Sequence, residues 1–181
     1  MLFERMMRAA RLDSSLFEEV EADLSATSQA ATVVGIVALC GAIGGAVRFG
    51  AAGQTGSAVL AFVGGLVMAF VGWVAWSYIT YWIGTSIFKG QATPGELLRT
   101  IGFAQTPGAL NILQFIPVLG GIVSLVTFVW LIVAGIIALR QALDISTGQA
   151  VITAIIGIIP MFLLYCVMGL IIGGGSFAMG Q

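Results

Sequence analysis

Between Arg48 and Arg140 the sequence carries only three charged residues, Lys89, Glu96 and Arg99. All three lie in one stretch, KGQATPGELLRTIGFAQTPGALNILQFIP, from Lys89 to Pro117, which also holds three of the four prolines. Long apolar runs flank it on both sides. Runs this long and this poor in charge exceed what the core of a soluble domain of 181 residues can absorb, and a bilayer is the solvent that suits them. The whole chain agrees, at 59% hydrophobic and 8% charged residues with a mean hydropathy of +1.08. One integral membrane domain of all-α class is therefore expected.

The same scarcity excludes several chemistries. Seven basic residues against eight acidic ones provide no basic field for nucleic acid. There is no histidine, and Cys40 and Cys166 sit singly in separate apolar runs without CxxC spacing, so no metal and no cofactor are expected. Each cysteine reads as a small apolar packing residue. No nucleophile stands beside a base and no Gly-rich phosphate loop follows a strand, so catalysis is not expected.

Residues 1–28 form an amphipathic, cytoplasmic N-terminal segment. In MLFERMMRAAR the arginines Arg5, Arg8 and Arg11 recur every third residue, with Leu2, Phe3, Met6 and Met7 on the remaining faces. This pattern fits a helix lying flat at a lipid surface, its arginines at anionic headgroups, and equally a solvated helix packed on a neighbour. In LDSSLFEEVEAD, Ser15 and Glu18 have capping-box spacing, and Leu16, Phe17, Val20 and Leu24 form one apolar stripe, so a second short helix follows. Six acidic groups before the first apolar run are too many for a signal-peptide n-region, so that run is expected to be retained.

Five spans are expected within residues 29–174, at about 30–48, 57–88, 98–116, 118–140 and 148–173, with a flexible tail over 175–181. The second exceeds what a bilayer needs and must tilt, bend or emerge. Its Trp73, Trp76, Tyr78, Tyr81 and Trp82 read first as an interfacial aromatic belt and second as a pocket lining. Thr93, Pro94 and Glu96 start the third helix as N-cap, first residue and box partner. Pro107 then frees the Phe103 carbonyl and favours a kink. Pro117, Gly120 and Gly121 mark the turn into the fourth span, and Asp144 and Ser146 offer caps for the fifth, where Pro160 favours another kink. Gly41 with Gly45, and Gly169 with Gly173, have the GxxxG spacing that lets helices approach closely. An N-in, C-out topology puts six of the seven basic residues inside and leaves Arg48 outside.

From Gly90 the segments GELLRTIGFAQTP and FIPVLGGIVSLVTFVWLIVAGIIALRQALDISTGQA, together with RLDSSLFEEVEAD near the start, resemble the Yip1 domain family, specifically its short bacterial members. The resemblance implies a five-span fold in a bacterial cytoplasmic (inner) membrane and brings no established activity. Eukaryotic relatives sit in early secretory membranes, associate with Rab-type GTPases and with one another, and influence vesicle traffic and membrane shape. The cytoplasmic segment here is short where theirs is long, which argues against GTPase binding.

Two functional readings follow. The first is a non-catalytic scaffold or interaction protein whose partners are membrane lipids, further copies of itself or other membrane proteins. The second is a small-solute or ion transporter that uses the kinked third helix, where Gln105, Asn111 and Gln114 place amides and Pro107 opens backbone carbonyls. Such amides are also common interhelical glue. Glu96 and Arg99, one turn apart, are candidates for docking a cytoplasmic partner.

Overall fold

The computed structural model describes residues 1–51, 53 and 55–178, without the side chains of 49, 55–58, 60, 61 and 168–178. It is helical throughout, with no strand among the described residues. In chain order the elements are α1 (Leu2–Ala10), α2 (Ser14–Ala22), α3 (Ala26–Ala51), α4 (Thr55–Phe88), α5 (Pro94–Ala104), a 3-10 segment (Thr106–Phe115), α6 (Leu119–Ala142) and α7 (Thr147–Ala178). Four of them, α3, α4, α6 and α7, are long and apolar enough to cross a membrane. The fold is that of an integral membrane protein.

The expected third span, 98–116, is not one helix. Backbone hydrogen bonding changes at Gln105, where α5 gives way to ten residues of 3-10 helix. Runs of that type longer than three or four residues are uncommon. The proline supplies the cause. Pro107 has no N–H to donate to the Phe103 carbonyl, and the Thr106 hydroxyl donates to it instead at 2.7 Å. At the other end, Leu119 N–H donates to the Pro117 carbonyl at 2.7 Å around Val118 (φ 64, ψ −55), a strained γ-turn that sends the chain back into α6. Gly120 is required there, because a side chain would meet the Gln114 carbonyl.

The starts of helices follow their caps, with one correction. Thr93 and Glu96 form the expected capping box, with Glu96 Oε2 accepting from Thr93 N–H at 2.7 Å. Ser146 and Gln149 do the same for α7. For α2 the cap is Asp13, which accepts from Ser15 N–H at 3.0 Å, and Ser15 itself is inside the helix. The aspartate precedes the turn directly and reaches the free amide that Ser15 was expected to cap.

Contacts along α3 give the direction of the broken segment. Gly102 lies against Ala30, Gly108 against Val37, and Asn111 and Gln114 against Gly44. The segment therefore runs parallel to α3, while α6 returns antiparallel with Leu131 near Gly108. The buried core sits at the α2 end of the bundle, around Phe17, Leu97, Phe103, Leu139 and Leu143. α7 extends to Ala178 and so takes in residues 175–178, which the sequence alone assigned to a tail; residues 179–181 lie outside the described residues.

Candidate functional site

α1 and α2 fold into a hairpin whose basic and acidic halves neutralise each other. Arg5 pairs with Glu19 at 2.8 Å and Asp23 at 3.0 Å, and Arg8 with Asp13 at 2.8 Å and Glu19 at 2.5 Å. Hydrogen bonding from Arg8 holds the Glu19 carboxyl below its ordinary range. Ser15, and then Arg8, hold Asp13 down at about 2. Two of the three arginines read as headgroup contacts thus face carboxylates of their own chain. Arg11 is exposed, on the same stripe as the exposed Phe3 and Met7. The sequence pattern, basic first and acidic second, contained this pairing, but only the reversal at Arg11–Asp13 brings the two halves together.

The hairpin is docked on the bundle through backbone carbonyls. Arg99, 4% exposed, donates from Nε to the Val20 and Glu21 carbonyls at 3.0 and 3.1 Å, and from Nη2 to Glu21 again. It thereby satisfies the last turn of α2 and places a cation at the negative end of that helix. Trp130 donates its indole N–H to the Ala10 carbonyl at 2.9 Å, and Gln141 reaches Glu18 at 2.5 Å. Glu96 is engaged in its own cap and forms no ion pair with Arg99 among the described residues. Arg99 is therefore an internal staple, which its charge and position one turn after Glu96 did not disclose. Burial, then repulsion from Glu96 and Asp144, pushes the Glu21 carboxyl up to about 7 despite Arg99.

The second place of interest is a cavity of about 670 Å³ between α3, α4 and α7. Small residues create it: Ala38, Gly41 and Ala42 on α3, and Gly65, Ala69 and Gly72 on α4. Trp73, Trp76, Met161 and Phe162 line it too, with Gln105 and Tyr165 as its amide and hydroxyl. Trp73 is 6% exposed and donates its indole N–H to the Leu98 carbonyl at 3.0 Å. Trp73 and Trp76 are thus cavity walls, whereas Tyr78 and Trp82, 50% and 68% exposed, keep the outward placement expected of a belt. Helical period separates the two groups, since 73 and 76 share one face of α4 and 78 and 82 another.

The amides of the third segment divide accordingly. Gln114 donates to the Gly41 carbonyl at 2.9 Å, so it ties this segment to α3. The side chains of Gln105 and Asn111 make no hydrogen bond among the described residues, and Gln105 lines the cavity beside the Pro107 break. Of the glycines flagged on α3, Gly41 is open, with no atom within 4 Å of an added Cβ, and Gly45 would meet Gln114 Nε2 at an ordinary 3.8 Å. The tight contact is at Gly44, against the Asn111 carbonyl. Gly169 and Gly173 fall within α7 but outside the residues whose surroundings are described. Among the described residues, no group of His, Cys, Asp and Glu side chains could hold a metal ion.

A family model for the Yip1 domain matches residues 14–171. The chain belongs to the Yip1 domain family. The match begins at the first residue of α2 and ends inside α7, so the hairpin's second helix, the stapled α5, the broken segment and the cavity all lie within the Yip1 domain. Comparison with curated proteins and with solved structures finds no match.

Proposed function

We propose that this Yip1-domain protein is a non-catalytic interaction protein of a bacterial cytoplasmic membrane, organising that membrane or assembling complexes through helix–helix and lipid contacts. One observation carries the reading. The polar groups best placed to bind a solute or a soluble partner are used inside the fold: Gln114 on Gly41, Arg99 on α2, Glu96 on its own cap. What remains facing outward is apolar. The outer face of α6, for example, exposes Leu125 at 65% and Phe128 at 62%.

A five-span, N-in and C-out arrangement accompanies this reading. In its support, the broken segment runs beside α3 from Ala30 to Gly44, about 21 Å at the α-helical rise, against a hydrocarbon core of roughly 30 Å. The charge asymmetry of the loops points the same way. Single cysteines at Ala92 and Val118, in a protein with Cys40 and Cys166 replaced by serine, test it. Labelling of the two from opposite faces is expected, and labelling from one face overturns the fifth crossing.

Purification in native nanodiscs followed by native mass spectrometry tests the function. Recovery in a stoichiometric complex, with other membrane proteins or with further copies, is expected. A monomer that passes a solute in liposome flux assays overturns the reading in favour of transport. That second reading has one observation behind it, the unpaired Gln105 amide beside a cavity at the proline break. Against it stands the cavity's predominantly apolar wall, which offers an ion or polar solute little to replace its water.

A further inference from the structure

The cavity between α3, α4 and α7 has a polar end and an apolar end. Gln105 stands three residues beyond Gly102, which packs on Ala30, so it lies within about one helical turn of the start of the first apolar run. The Tyr165 hydroxyl approaches Gly72 so closely that an added Cβ there would sit 2.6 Å from it. Gly72 adjoins Trp73, whose indole reaches Leu98 on α5, so hydroxyl and amide lie toward the same end. Neither side chain has a hydrogen-bond partner among the described residues. At the opposite end Gly65 faces Ala42 at 4.0 Å, and Gly41 leaves its surroundings open. No charged side chain lines the space among the described residues.

We infer that this cavity is a lipid site that takes one acyl chain of a bilayer glycerolipid, its ester carbonyl toward Gln105 and Tyr165 and its methylenes along Gly41, Ala42, Gly65 and Ala69. The inference rests on the lipid-contact part of the reading above. A helix does not fit: over the eight residues from Val34 to Ala42, about 12 Å, a cylinder 10 Å across occupies roughly 900 Å³, more than the 670 Å³ present. A hydrated ion or charged head does not suit it either, since the walls are apolar and carry no charge to pair with it. A single hydrocarbon chain matches the apolar end. An ester oxygen accepts from an amide N–H or a phenol O–H at the polar end, within a turn of the depth where ester groups sit at the edge of the hydrocarbon core.

The test uses the full chain in vesicles of phosphatidylethanolamine and phosphatidylglycerol, doped with a phosphatidylethanolamine that carries a diazirine midway along one acyl chain. After irradiation, adducts are mapped by mass spectrometry. They are expected to concentrate on cavity residues such as Ala69 and Met161 over the outer face of α6 at Leu125 and Val129. Ala69→Phe, which fills the space from α4, and Ala38→Leu, which fills it from α3, are each expected to lower cavity adducts about tenfold. Gln105→Leu removes one hydrogen bond and is expected to lower them about fivefold. Val129→Phe, on the outer face, changes nothing.

Adducts spread evenly over all lipid-facing surfaces, or unchanged in both filled variants, overturn the inference. So does displacement of the label by a free fatty alcohol but not by unlabelled phosphatidylethanolamine, which would assign the site to a single-chain lipid. A protein that labels here yet assembles with nothing keeps this inference and loses the scaffold reading, so the two failures are distinguishable.

Discussion

Replacing Arg99 with methionine isolates what holds the N-terminal hairpin in place. Methionine keeps most of the apolar stem and removes the guanidinium that serves the Val20 and Glu21 carbonyls. Hydrogen bonds from a charged donor are worth about 1.5–3 kcal/mol each, and a cation at a helix C-terminus adds about 0.3–1 kcal/mol. Two reductions apply. The freed carbonyls lie at the end of α2, where water replaces part of the lost bonding, and removing the guanidinium also removes the cost of burying it. A net loss of about 2 kcal/mol remains, equivalent to about thirtyfold in the equilibrium for opening the hairpin. Hydrogen exchange of the protein in nanodiscs reads this directly, because α2 amides exchange through local opening. Amides of residues 17–22 are expected to exchange about thirtyfold faster, with the amides around Ala134 and Ala138 in α6 unchanged. Arg99→Lys keeps the charge but not the fork, so about fivefold is expected. Exchange in α2 that changes less than about threefold in Arg99→Met, below 1 kcal/mol, refutes the staple. An equal acceleration across α6 refutes its local character.

Other perturbations address the remaining contacts. Glu21 is raised from 4.5 to about 7 by burial and by the carboxylates of Glu96, Asp144 and Glu18, with Arg99 opposing. Docking is thus strongest below pH 4.5 and weakens as pH rises through 7, and exchange measured across that range should lose this slope in Glu21→Gln. Asp13 behaves oppositely: its carboxyl is held at about 2, so its contribution is present above its ordinary 3.8 and fades as pH falls toward 2, a fade absent in Asp13→Asn. Gly44→Ala drives a methyl into the Asn111 carbonyl and should destabilise by about 1–3 kcal/mol, whereas Gly41→Ala meets nothing and should stay within about 0.5 kcal/mol. Reversible unfolding in mixed detergent micelles compares them. Thr127 and Thr153 bury hydroxyls without a partner, so valine at either position should be neutral or stabilising by up to about 1 kcal/mol in the same assay.

Periodicity and length made the four long helices legible, because a bilayer-spanning run needs no partner to announce itself. Local chemistry made the Thr93 cap and the Pro107 break legible, since both act within one turn. Contacts between distant segments had no such sign. Arg99 lies 79 residues from Val20, and nothing in ELLR shows that its guanidinium ends on the carbonyls of another helix. The glycines illustrate the same limit. GxxxG spacing drew attention to Gly41 and Gly45, yet the close approach occurs at Gly44, because the angle at which the 3-10 segment meets α3 decides which small residue is used. Trp73 was likewise readable as amphipathic but not as inward, since the belt and the cavity wall sit on adjacent faces of one helix.

Breaking a membrane segment at a proline exposes backbone groups, and the surroundings determine whether that break serves structure or a ligand. Here Thr106 takes the Phe103 carbonyl that Pro107 cannot, Gly108 N–H returns to the Gln105 carbonyl at 2.8 Å, and Gln114 ties the far half of the segment to α3. The break is thus satisfied from within, which is the condition for irregular backbone at membrane depth. A carrier site would instead leave those carbonyls turned toward a cavity. What the break does leave over is the side chain of Gln105, placed where the 3-10 segment begins and where small residues of α3 and α4 hold a space open. An amide in that position, beside a tyrosine hydroxyl and otherwise among apolar walls, can hold the neutral polar end of a chain and has no means of stripping water from an ion. The proline break therefore bears on lipid contact more directly than on transport.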